Sequence, residues 1–286
     1  MESFKGLSQQ EKATQFRDLH HNGRLLILPN IWDSLGAMLL ENLGYPAVAT
    51  ASASIAFTNG YDDGENIPFE TMLTLIRRIA GSVNVPVTAD IESGYAENDI
   101  ALAENMRKLL ETGVVGINFE DSDKHTKSLF PIDVQARRIS VIKKAAKEFG
   151  VDLFVNARTD VYIKGKEYGS ADAQLQEAMK RGIAYKAAGA DCFYPLGVQD
   201  EIHIKTIVDQ LAMPVNILMI PGIPGFDRLT ELGIARISLG PSFLKIAIRA
   251  MKETAMQLKN YEGMDLVTGN EITSDYLRTL VSGRFD

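Results

Sequence analysis

The feature that most constrains this chain is a rhythm. Eight short apolar runs, at 24–33, 47–51, 85–90, 116–120, 153–157, 191–195, 214–219 and 235–238, are each followed by a stretch with helical spacing of its apolar residues. The helical stretches cover 34–43, 69–82, 99–112, about 133–149, 171–188, near 200–210, near 225–232 and 241–258, and a charged helix over 8–22 precedes them all. Runs that are apolar along their whole length read as strands buried on both faces, which requires parallel strands covered by helices. Eight such units make the (β/α)8 barrel, and 286 residues suit the ~250 typical of it. The runs are too apolar and too closely spaced for a sandwich, and no Pro/Gly/Ser linker divides the chain. The expectation is one α/β domain, a TIM barrel over 1–286, with 261–286 as a C-terminal helical extension. A helix near 271–282 has no strand of its own, and it either packs on its own barrel or is exchanged with a neighbouring subunit.

Charge and cysteine usage narrow the partners. Thirty Lys+Arg against 37 Asp+Glu give a net charge of −7 with no basic run, which argues against nucleic acid and anionic membrane and for small molecules. Cys192 is the only cysteine, which suits a reducing compartment. The four histidines, His20, His21, His125 and His203, have no zinc-ligand spacing. The first residues lack a signal-peptide core and no apolar stretch reaches the ~20 residues of a membrane span, so a cytoplasmic location is expected.

Active sites of this fold lie at the C-terminal strand ends. There the sequence places Trp32 and Asp33, Thr50 and Ser52, Asp90 and Glu92, Glu120 and Asp121, Arg158 and Asp160, Tyr194, Asn216 and Ser238. In an extended strand Asp90 and Glu92 share a face, roughly 6–7 Å apart. Like charges that close need a basic partner, a shared proton or a divalent cation. We read the set as a Mg²⁺ site, since Mg²⁺ takes oxygen ligands and keeps several waters, with Arg158 gripping a substrate carboxylate by two prongs. Structural ion pairs across the loops are the plainer reading of any single residue. Trp32 suits a wall or core position, and Thr88 and Asn156 suit polar places inside the barrel.

Taken together, Leu28-Pro-Asn-Ile-Trp-Asp33, Gly60-Tyr-Asp-Asp-Gly-Glu65, Asp90-Ile-Glu-Ser-Gly-Tyr95, Gly116-Ile-Asn-Phe-Glu-Asp121, Asn156-Ala-Arg-Thr-Asp160 and Arg236-Ile-Ser-Leu-Gly240 resemble the phosphoenolpyruvate mutase/isocitrate lyase superfamily. The resemblance implies Mg²⁺, with Mn²⁺ as a substitute, near Asp90. Glu92 and Glu120 would lie in or behind its water shell, and Asp63 would arrive on a loop. It implies C–C or P–C bond chemistry next to a 2-oxo acid through a pyruvate-type enolate stabilised by the metal and Arg158. Thr50, Ala51 and Ser52 match the segment that cradles the substrate carboxylate, with Trp32 and Asn216 as further contacts. It also implies a homo-oligomer, a dimer or a tetramer that exchanges the C-terminal helix.

Departures from the family bear on the reaction. Isocitrate and methylisocitrate lyases carry a loop with a cysteine acid, whereas this loop reads Glu120-Asp-Ser-Asp-Lys-His-Thr-Lys-Ser-Leu-Phe-Pro131. Its His125-Thr-Lys-Ser-Leu129 is similar to the phosphonomutase loop Lys-Thr-Asn-Ser-Leu, which makes His125, Lys127 and Ser128 candidates for a segment that closes over substrate. After the sixth strand Leu196 stands where relatives place Glu or His. The expected function is a Mg²⁺-dependent lyase of a small 2-oxo or 2-hydroxy carboxylate. P–C mutase or hydrolase chemistry is the close alternative, and a non-catalytic carboxylate-binding barrel a further one. A Schiff-base aldolase would need Lys164 or Lys166, and a phosphate site at Ser238-Leu-Gly-Pro-Ser242 lacks a Gly-rich partner loop.

Overall fold

The chain enters through α1 (Gln9–Leu19), fixed at its start by a reciprocal cap. The Ser8 hydroxyl accepts from the Glu11 N–H, and the Glu11 carboxylate accepts from the Ser8 N–H at 2.7 Å. The structure, a computed structural model, describes residues 6–282. Nine short strands follow: β1 (Leu26–Leu28), β2 (Asn30–Ile31), β3 (Val48–Thr50), β4 (Val87–Asp90), β5 (Gly116–Glu120), β6 (Phe154–Thr159), β7 (Cys192–Pro195), β8 (Asn216–Leu218) and β9 (Arg236–Ser238). All their pairings are parallel, β2 through β7 in chain order and β1 with β9 and β9 with β8.

The two hydrogen-bonded groups are arcs of one ring. β1 and β2 are halves of the first expected strand, parted at Pro29, which has no N–H to give the ladder. Across the second gap Phe193 and Val215 form a parallel bridge, and the Phe193 N–H donates to the Pro214 carbonyl at 2.9 Å. This is the eight-stranded barrel that the alternation implies.

The helices are α2 (Ser34–Asn42), α3 (Ser52–Thr58), α4 (Phe69–Gly81), α5 (Asp99–Leu110), α6 (Ile132–Phe149), α7 (Ala171–Ala187), α8 (Glu201–Leu211), α9 (Phe226–Glu231), α10 (Ser242–Lys259), α11 (Met264–Thr268) and α12 (Ser274–Val281). Side chains of Asp33, Asn98, Ser170, Asp200 and Thr273 cap five of them. Short α3 and α11 have no side-chain cap and were not expected. The surplus helix α12 lies against α2 and buries Leu280.

Inside the ring a row of amides runs from one strand to the next. Asn156 Nδ2 donates to Asn118 Oδ1 at 3.0 Å, and Asn118 Nδ2 donates to Asp90 Oδ1 at 2.9 Å. A hydrogen-bonded polar row of this kind fixes the rotamer of its last member, Asp90.

At the far end of α1, His20 is buried with its ring stacked on Phe154 at 4.1 Å and Nδ1 2.8 Å from the Phe16 carbonyl. Burial, then the nearby Arg236 charge, pushes its pKa down to about 3. Above the unfolded value of ~6.5 both states are neutral; below it the unfolded chain takes up a proton that the folded chain refuses. Stability should therefore fall between pH ~6.5 and ~3, by up to about 1.4 kcal/mol per pH unit from this group. In His20→Phe, which keeps a stacked ring, urea midpoints measured across that window should fall by about one proton's slope less than wild type. Equal slopes would remove His20 from the acid response.

Candidate active site

The mouth of the barrel is built around Asp90, the last residue of β4. Its Oδ2 accepts from the Ser52 hydroxyl at 2.7 Å and from the Ser52 N–H at 3.2 Å, while the Asp90 N–H donates to Thr50 Oγ1 at 3.0 Å. Ser52 opens α3 immediately after β3, so the turn from β3 into α3 delivers Thr50, Ala51 and Ser52 to the carboxylate.

Glu92 departs from the expected same-face pair. The strand ends at Asp90, and Glu92 adopts φ +52°, folding back so that its carboxylate accepts from the Glu65 N–H at 2.6 Å and the Tyr95 hydroxyl at 3.2 Å. The turn depends on Gly94 at φ +95°, where a Cβ would lie 2.7 Å from Leu102 Cδ1. Glu92 is 4% exposed. Burial, followed by the charges of Asp90, Asp63 and Glu65, raises its pKa to about 8. Glu65 in turn accepts from the Ser93 hydroxyl and the Tyr95 N–H, and pairs with Lys124 at 2.9 Å. That ion pair ties the loop after α3 to the loop after β5.

Arg158 faces Glu120 across the β5–β6 register, with Nη1 2.8 Å from its carboxylate. Its fork, Nε and Nη2, is filled by Asp160 at 2.6 and 2.9 Å. The expected two-pronged grip on substrate is therefore corrected: Asp160, two residues along, reaches those donors first, and Arg158 presents its charge rather than a free fork. Burial raises the Glu120 pKa well above the ordinary carboxylate range, and Arg158 offsets this only in part. Behind them Asp121 is fully buried, accepting from Tyr185 at 2.7 Å, Arg181 at 3.0 Å and the Asp160 N–H at 3.1 Å. This bracket holds Asp160, and through it Arg158.

A pocket of about 200 Å³ opens here, lined by Thr50, Ala51, Ser52, Asp63, Asp90 and Arg158 together with Asn30, Asn118, Tyr194, Arg236 and Ser238. Glu92 and Glu120 stand behind this lining. Trp32 does not reach it: Asn30 takes the inward place, the Asp33 cap turns the chain into α2, and Trp32 lines a separate groove with Arg78 and Val281. Asn216 is likewise below the pocket, its Nδ2 donating to Ser238 Oγ at 3.0 Å. The 122–129 segment folds on itself through a Ser122–Leu129 bridge, leaving His125, Lys127 and Ser128 exposed on its tip and outside the pocket lining. No lysine is among the described lining residues; Lys164 donates to the Lys127 carbonyl, and the side chain of Lys166 lies outside the described residues.

Among the described residues no three Asp, Glu, His or Cys side chains form a ready-made metal cage. The donor set nevertheless fits Mg²⁺. Asp90 and Asp63 face the pocket, and burial, then Asp90, raises the Asp63 pKa. Negative charge in excess of its local partners, beside a solvent-sized space, suits an ion that binds one or two carboxylates and keeps its waters. Asn30, Asn118, Glu65, Lys124 and Arg236 were missed by sequence reasoning. Of these, Asn118 and Arg236 carry the signal of sitting two residues before a chosen strand-end residue, hence on its face.

Fold and mouth together define a parallel α/β barrel with an acidic, carboxylate-ready site. Residues 16–259 match the phosphoenolpyruvate phosphomutase family, and the chain belongs to that family, within the phosphoenolpyruvate mutase/isocitrate lyase superfamily. It is 36% identical to a solved candidate phosphonomutase from Burkholderia cenocepacia J2315, with a TM-score of 0.84 over 87% of this chain and 99% of that one. It is 26% identical to the 2-methylisocitrate lyase of Bacillus subtilis (strain 168), covering 94% of this chain and 90% of the relative. A phosphonopyruvate hydrolase solved with oxalate and Mg²⁺ shares the fold, with a TM-score of 0.81 at 23% identity and 94% coverage of each chain. No described helix is long and apolar enough to cross a membrane.

Proposed function

We propose that this chain is a Mg²⁺-dependent lyase that makes or breaks a C–C bond next to a small 2-oxo or 2-hydroxy carboxylate through a pyruvate-type enolate. The observation that carries the reading is the convergence of Asp90, Asp63 and Arg158 with the Thr50–Ser52 turn on one pocket. Asp90 would hold the metal directly, with Asp63, Glu92 and Glu120 acting through water; bound there, Mg²⁺ or Mn²⁺ supplies fixed positive charge for an enolate oxygen. Thr50, Ala51 and Ser52 cradle the substrate carboxylate. Arg158, clamped by Asp160 and Glu120, keeps its charge at the pocket edge without reorganising as negative charge develops.

P–C chemistry is the second reading, and the 36% identity to the candidate phosphonomutase supports it. Incubating isocitrate, methylisocitrate, oxaloacetate, dimethylmalate and phosphonopyruvate with Mg²⁺, and reading pyruvate, glyoxylate or, for a mutase acting on phosphonopyruvate, phosphoenolpyruvate, separates the readings. Release should occur from one substrate and stop with EDTA. Mg²⁺-dependent oxalate binding without any turnover would leave only a carboxylate-binding barrel.

His125, Lys127 and Ser128 sit on a segment tied down by Lys124 to Glu65, and closure of that segment would bring them over the pocket. Alanine variants of each should lower kcat by about 10-fold or more with oxalate affinity unchanged. Wild-type rates in all three would take the segment out of the mechanism. The outer faces of α10 to α12 expose Ile246, Met251, Met256, Met264 and Leu277, an apolar surface consistent with a dimer or tetramer that shares the C-terminal helix. The lone, buried Cys192 accords with a cytoplasmic location.

A further inference from the structure

Arg236 opens β9 and is 2% exposed, on the inward face that it shares with Ser238. Its Nε donates to the Ser238 hydroxyl at 3.2 Å, and that hydroxyl also accepts from Asn216. Its Nη1 has no hydrogen-bond partner among the described residues. Other buried arginines are differently provided for. Arg158 and Arg181 hold carboxylates, and Arg138, although its Nε also lacks a partner, donates to the Ser93 carbonyl and lies over the ring of Phe130 at 4.4 Å, outside the pocket lining. Arg236 has instead the neutral Cys192 and Tyr194 nearby, while Asp90, the one carboxylate whose charge it feels, is already engaged by Ser52 and Asn118.

A guanidinium taken out of water with a donor left over is costly unless an anion completes it. Arg236 lines the same pocket as the carboxylate cradle of Thr50–Ser52, so an anion held in that pocket is the group that can complete the guanidinium. We infer that Arg236 is the binding group for a second anionic group of the substrate. The pocket then takes a short, doubly anionic 2-oxo or 2-hydroxy acid, one end at Thr50–Ser52 and the other on the barrel floor. The second group is a carboxylate or a phosphonate, the two chemistries that a planar fork of N–H donors recognises. Ser238, held by Asn216, positions the guanidinium. This inference rests on the function proposed above and names the substrate class for it.

A matched series tests it: lactate, malate and 3-phosphonolactate carry the same 2-hydroxy acid head and differ in the second group. By calorimetry with Mg²⁺, wild type should bind malate or 3-phosphonolactate at least about 10-fold more tightly than lactate, and whichever is preferred identifies the second group. Arg236→Gln should bring that ratio to within about threefold of unity with oxalate binding retained, and Arg236→Lys should lower it at least about threefold. A purely structural Arg236 would lower the melting temperature and leave the ratio alone. That result overturns the inference, as does parity of the three acids in wild type, a measurement that stands even where Arg236→Gln fails to fold. Failure of wild type to bind oxalate with Mg²⁺ would instead overturn the function on which the inference rests.

Discussion

Replacing Asp90 with alanine is expected to eliminate Mg²⁺-dependent oxalate binding, a loss on the order of 1,000-fold or more, equal to about 4 kcal/mol. The metal-free protein should meanwhile melt within a few degrees of wild type. Two opposed effects produce that second outcome. Asp90 accepts hydrogen bonds from Ser52 and Asn118, and stranding those donors costs about 1 kcal/mol apiece. Yet its charge also bears on Glu92 and Asp63, both held with raised pKa in part by Asp90 itself, and removing it relieves both. A site that strains the fold to hold a cation shows this separation of binding from stability. Calorimetry with oxalate and Mg²⁺, beside thermal melts in EDTA, measures both halves. Undiminished oxalate binding would take the metal away from Asp90, and a large drop in metal-free melting would make Asp90 a structural residue first.

The barrel was legible because burial on both faces writes itself into every strand, and because each strand is followed by a stretch with helical spacing. Alternation correctly aimed Thr50 and Asp90, since both lie within strands. It failed at Glu92, just past a strand end, where the left-handed turn beside Gly94 decides direction instead. A two-residue period has no authority beyond the last ladder hydrogen bond. The clasp between Glu65 and Lys124 joins residues far apart in the chain, and nothing local announces it. Arg236 was passed over for another reason. It stands two residues below the mouth, where an arginine reads as an interruption of an apolar run rather than as a floor. Arg158 was found by its place, while the company it keeps with Asp160 is a matter of rotamer, which spacing does not encode.

That company changes what Arg158→Ala should do. A guanidinium that did nothing but grip substrate would, once removed, cost carboxylate binding more than the fold. With the guanidinium buried between Glu120 and Asp160, whose side chains are 14% and 7% exposed, both losses should be large. Oxalate affinity should fall by about 100-fold, because the charge at the pocket edge is gone. Unfolding should become easier by about 3–5 kcal/mol near neutral pH, because a buried pair has lost one partner and left the other uncompensated. The pH dependence identifies the cause. Burial already raises the Glu120 pKa well above its unfolded value, with Arg158 opposing the shift, so losing Arg158 raises it further. An acid whose folded pKa is raised contributes its stability below the unfolded value of ~4.3 and loses it as pH rises through the folded pKa. The deficit of Arg158→Ala relative to wild type should therefore be smallest near pH 4–5 and widen toward neutrality. Adding Glu120→Gln should recover part of it at pH 7 without restoring oxalate binding. A deficit that is flat across that range would place the damage in lost packing of the guanidinium and not in the carboxylates it leaves behind.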